Sequence, residues 1–107
     1  MKMTTDLLKT HLGRDTSQRL VYEIYPFDNE DYAKTCQQLI KEFSLEPIGE
    51  VIVGWDEVFQ DYRHGEIVVS LEWDIWSGFA VVAKNRESEE LVKKIGTYLE
   101  WLYWGKS

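Results

Sequence analysis

The sequence predicts an α+β fold: a two-layer sandwich of about four mostly antiparallel strands, with two main helices packed on one face. Three observations carry this. Between Glu66 and Ile75, the residues Ile67, Val69, Leu71, Trp73 and Ile75 alternate with Glu66, Val68, Ser70, Glu72 and Asp74, the period of a half-buried strand. Beyond the turn residues Trp76, Ser77 and Gly78, the apolar run Phe79 to Ala83 returns as a second strand, which implies an antiparallel hairpin. Two segments, one after Asp28 and one after Ser88, place their apolar residues at helical spacing.

Taken in order, Thr4 to Leu12 reads as a short helix with Leu7, Leu8, His11 and Leu12 on one side and Gly13 as its stop. Arg19 to Tyr25 alternates as a strand, and Pro26 ends its pairing. The clearest helix follows. Asp28 is its candidate N-cap, Glu30 and Asp31 suit the positive end of the dipole, and Tyr32, Cys36, Leu39, Ile40 and Phe43 form its apolar stripe. After Pro47, Glu50 to Gly54 reads as a strand. Trp55, Val58, Phe59 and Tyr62 then stand at i, i+3, i+4 and i+7, which favours a short helix ending near Gly65; a direct run of strand into the next hairpin is the alternative. The last helix starts near Ser88 and presents Leu91, Ile95, Tyr98, Leu99 and Leu102, stopping by Gly105.

A chain of 107 residues, 44% apolar and 14% aromatic, suffices for one core, and no repeat or linker divides residues 1–107 into more than one domain. The start, Met1 to Asp6, lacks the apolar stretch of a signal peptide, and no run approaches a membrane span, so a cytoplasmic chain with no membrane contact is expected. One cysteine, Cys36, forbids an internal disulfide. With only His11 and His64 beside it, a zinc cage of thiolates and imidazoles is not available, and no metal or other cofactor is expected.

The net charge of −7 is unevenly spread. Nine acids lie between Glu42 and Ala83 against the single base Arg63, a local net of −8, while the rest of the chain is about neutral. Such a field repels phosphate backbones, which argues against nucleic acid, and it attracts a basic protein partner. An acidic surface also serves plain solubility.

Candidate site residues come from two places where indoles sit among acids. In Leu71 to Phe79 the strand period puts Glu72 and Asp74 toward solvent and leaves Trp76 at the turn. In the second, Trp55 is followed by Asp56, Glu57 and Asp61; a helix there would place Glu57 and Asp61 on an outward face and turn Trp55 inward with Val58. Acid pairs of this kind suit a recognition patch for Lys and Arg, anchored by Trp76. They also suit a small-ligand or carbohydrate binder, or a carboxylate-based hydrolase, although so short a chain has little room for a deep cleft. A solvated strand face is the bland explanation of the same pattern. No nucleotide-binding loop, calcium loop or catalytic triad motif is present, and no catalytic residue is assigned. Trp101 and Trp104 add aromatic surface to the last helix, either packed at the sheet edge or offered to a homodimer.

In size and charge alone, the chain resembles the immunity proteins and antitoxins that mask basic nuclease-type toxins. That resemblance implies a non-enzymatic protein-interaction module using Asp56, Glu57, Asp61, Glu72, Asp74 and Trp76.

Overall fold

The computed structural model describes residues 9–105, which form an α+β fold. Six strands, β1 (Lys9–Arg14), β2 (Leu20–Tyr25), β3 (Glu46–Val53), β4 (Glu57–His64), β5 (Ile67–Asp74) and β6 (Gly78–Ala83), make one open antiparallel sheet in the order β1-β2-β6-β5-β4-β3. Helix α1 (Asn29–Phe43) joins β2 to β3, and α2 (Glu89–Trp104) follows β6 through a short 3₁₀ turn at Arg86–Ser88. There are thus two more strands than the expected four, β1 and β4.

Both additions have physical reasons. The stripe Trp55, Val58, Phe59 and Tyr62 is not helical: Val58 and Tyr62 pack against the core from alternate positions of β4, while Phe59 lies on the opposite face and Trp55 sits in the turn before the strand. An apolar residue on the non-core face therefore imitated a helical period. The expected first helix falls partly outside the described residues. Its second half, from Lys9, is edge strand β1, paired from Lys9 with Tyr25 to Arg14 with Leu20.

The core lies between the helices and one sheet face. Leu20, Tyr22 and Ile24 of β2, Val69 and Leu71 of β5, Phe79 and Val81 of β6 and Tyr62 of β4 meet Tyr32, Cys36 and Leu39 of α1 and Val92, Ile95 and Leu99 of α2. Each large apolar side chain so buried contributes about 1.5–3 kcal/mol. The expected face of α2 is turned by about one residue, with Leu91, Tyr98 and Leu102 only partly buried. Gly96 explains the rotation: a Cβ there would stand 2.7 Å from the Tyr22 ring, so the helix approaches the sheet through its glycine. Polar groups that enter the core are satisfied. The Tyr32 hydroxyl donates to the Leu71 carbonyl at 2.6 Å, and the Trp73 indole Nε1–H donates to the Phe27 carbonyl at 2.6 Å.

Two helices side by side span about 20 Å, roughly four strands at about 4.8 Å spacing. The expected two-layer sandwich is accordingly incomplete. Edge strand β3 is exposed along its whole length, and among the described residues no helix lies on the second sheet face; there, Val21, Ala80 and Val82 form only a small apolar patch. Within β5, Val69 and Leu71 are fully buried, Ile67 and Trp73 partly so, and Ile75 is 57% exposed because the strand stops at Asp74. Among the described residues, no helix is long and apolar enough to cross a membrane.

Candidate functional site

The register of β4 and β5 decides where the acids point. Glu57 pairs with Asp74, Phe59 with Glu72 and Asp61 with Ser70, so all six side chains leave the same face of the sheet. Because Val69, Leu71 and Trp73 occupy the helix side, this is the bare face. Four of the six site residues read from sequence, Glu57, Asp61, Glu72 and Asp74, are therefore brought together. A fifth carboxylate, Glu23, joins them through the register Glu23–Ala80–Glu72 across β2, β6 and β5. Sequence reasoning passed over Glu23 because the strand order that places β2 one strand away from β5 is not written in any local pattern.

Glu57 and Asp74 stand directly opposite each other, a like-charge arrangement at about 5 Å between Cβ atoms that costs stability. Asp61 has a base nearby, Lys84 Nζ at 3.9 Å. Among the described residues no base lies within ion-pair distance of Glu57, Glu72 or Asp74.

Asp74 differs from its neighbours. Its Oδ1 accepts the backbone N–H groups of Trp76 at 2.9 Å and Ser77 at 2.6 Å, so this carboxylate builds the β5–β6 turn. The turn closes on Gly78, at φ +75°, where a Cβ would run into the Ile24 carbonyl oxygen. Trp76, on top of this turn, is 72% exposed.

The β3–β4 turn lies alongside. The Gly54 N–H donates to the Glu57 carbonyl at 2.8 Å, closing a four-residue turn, and the Ile75 N–H donates to the Asp56 carbonyl at 3.0 Å, tying the two turns together. Asp56 thus reaches the same end of the sheet as Trp76. Trp55 emerges from this turn at 105% relative exposure, touching solvent on every side, where the sequence pattern had turned it inward. The Gly54-Trp55-Asp56-Glu57 segment, a glycine followed by an acid pair between two β-prone runs, was the available signal for a hairpin. Val53, Ile75 and Tyr25 are exposed at the same end.

Concavities are modest here. A depression of about 180 Å³ on the bare face is lined by His11, Arg14, Glu23, Glu72, Asp74 and Ser77, with His11 Nδ1 3.6 Å from Glu23. That is below the roughly 300 Å³ of an ordinary small-molecule site. A wider groove of about 620 Å³ borders Arg14, Arg19, Lys84 and Arg86 at the other end of the sheet, away from the acid and indole cluster. Three of its bases are already engaged, Lys84 at 3.9 Å from Asp61 among them. Arg14 pairs with Glu89 at 2.7 Å, a hydrogen bond that holds the Glu89 carboxyl below the usual range, and Arg19 pairs with Asp15 at 2.8 Å. Among the described residues no three of His, Cys, Asp and Glu come together as a metal-ligand set.

At the C-terminal helix, Trp104 is half-buried against the core and stands 6.4 Å from the Tyr103 ring, whereas Trp101 is exposed beside Tyr98 at 5.9 Å. No family model, curated protein or solved structure matches the chain.

Proposed function

We propose that this chain is a non-enzymatic protein-interaction module that masks a basic protein partner with the bare acidic face of its sheet. One observation carries the reading: Glu57 and Asp74 are set opposite each other, with Glu72 and Asp61 beside them, on the sheet face opposite both described helices. A fold gains nothing from like charges in register, whereas a positively charged partner relieves the repulsion and is drawn in by the field. The breadth and shallowness of the face favour a protein over a small ligand, and a wider groove lies among bases rather than beside the acids and indoles. The immunity-like or antitoxin-like role rests on size and charge alone.

The test compares immobilised wild-type chain with the double variant Glu57→Lys/Glu72→Lys in capture from a low-salt extract of the native cell. A basic protein retained by the wild type, lost from the variant and eluted as salt rises above about 0.15 M is the expected result. Captured proteins that ignore both the reversal and the salt would remove the basis for this reading.

A further inference from the structure

We infer that the paired turns carrying Trp55 and Trp76 form an aromatic clamp for arginine side chains of the partner protein. The inference rests on the proposed role of the acidic face and adds what that role leaves open, namely which basic side chain is taken and where. Two tryptophans of the described chain project from adjacent turns with little or no packing of their own. Their backbones are nevertheless fixed: the Asp74 carboxylate holds the N–H groups of Trp76 and Ser77, the Gly54 N–H closes the turn around Trp55, and the bond from Ile75 to Asp56 joins the two. A partner that meets these indoles therefore orders side chains but no loop, which lowers the entropic cost of binding.

The surroundings select the cation. Asp56, Glu57 and Asp74 lie at the same two turns, so three carboxylates share the end of the sheet from which the indoles project. Indole faces attract cations, and the planar guanidinium both stacks on them and donates in a fork to carboxylates, which an ammonium does not. Trp, Tyr and Arg are the residues on which interface energy concentrates, and exposed Tyr25 stands beside Gly78 at the same end. Other exposed or half-exposed indoles differ. Trp101 and Trp104 each lie against a tyrosine ring, and the Nε1–H of Trp73 is taken by Phe27.

Two-dimensional ¹H–¹⁵N spectra of the full chain test the idea, with the indole signals assigned through Trp55→Phe and Trp76→Phe. The probes are an arginine–glycine repeat peptide and its lysine–glycine counterpart. We expect the arginine peptide to move the Trp55 and Trp76 indole signals and to leave that of Trp73 in place. It should bind about threefold to fivefold more tightly than the lysine peptide, a preference abolished in Trp55→Ala/Trp76→Ala. Shifts confined to the backbone amides of Glu57, Asp61 and Glu72, or equal affinity for the two peptides, would overturn the clamp and leave the acidic-face reading standing. Failure of both peptides to bind would overturn the two together. Movement of the same indole signals on raising the protein concentration alone would assign the turns to self-association and refute the clamp.

Discussion

Glu72 and Asp74 look alike in the sequence, two acids one pleat apart on the solvent side of a strand. Their surroundings separate them. Glu72 makes no ion pair with a described residue and projects over the bare face, while Asp74 accepts two backbone N–H groups and so shapes the turn. Asp74→Ala should cost about 1 kcal/mol in urea unfolding, the usual magnitude for a lost side-chain cap on backbone donors, and Asp74→Asn should recover most of it because the amide oxygen still accepts. Glu72→Lys should stay within about 0.5 kcal/mol of wild type. If the two alanine or lysine changes cost the same, the turn does not depend on that carboxylate. An alternating pattern tells which face a side chain takes; it does not tell whether the backbone two residues on has bent back to meet it.

Elements whose apolar residues served one purpose were legible. Strands β2, β5 and β6 and helix α1 fall where the sequence pattern puts them: the core stripe of α1 stands at helical spacing, that of β2 and β5 alternates, and β6 is apolar on both faces, as a short central strand can be. Strand β4 was not, since Phe59 on the bare face and Trp55 at the tip carry apolar side chains for reasons other than the core. Nor was β1, a short edge strand whose Leu12 stays half out in solvent. Of the candidate site, the acids were readable from composition, but their convergence depends on the β4–β5 register and on a strand order that only long-range pairing fixes. Helix α1 also supports a prediction about pH. Burial pushes the Cys36 thiol from an ordinary 9.0 up to about 12, and burial likewise raises the Tyr32 phenol, whose proton is donated to Leu71. In the unfolded chain these groups lose protons first, so stability is full below about pH 9 and falls as pH climbs toward 12, with a limiting slope of about 1.4 kcal/mol per pH unit for each group. Urea midpoints measured from pH 8 to 11 should decline over that window, and less steeply in Cys36→Ala than in wild type. A flat profile would mean that neither group is as dry as its packing implies.

Across the whole molecule, charge is unevenly placed, although Arg14 and Arg19 also reach the depression that Glu72 and Asp74 line. Acids and indoles gather where β3 ends and β6 begins, and Arg14, Arg19, Lys84 and Arg86 line the opposite end. A basic partner approaching in low salt is thereby oriented before contact as well as attracted. The strand order has a further consequence. With six strands alternating in direction, the two outer edges run antiparallel to each other, so a copy displaced sideways would offer its β1 to the next copy's β3 in a register-compatible sense, and the pairing would never close. Among the described residues nothing covers β3, and Val51, Ile52 and Val53 lie exposed along it. What restrains it is local: Pro47, which has no N–H to donate, an irregularity between Ile48 and Ile52 around Gly49 at φ +70°, and the charges of Glu46 and Glu50. Sedimentation of Pro47→Val/Glu50→Val should give a larger mean mass than wild type at equal concentration, rising with protein added, and an unchanged mass would show that the edge is guarded by something else. Polymerisation into ribbons is thus the hazard native to this topology, and a proline, a kink and a pair of glutamates are the features of the edge that oppose it.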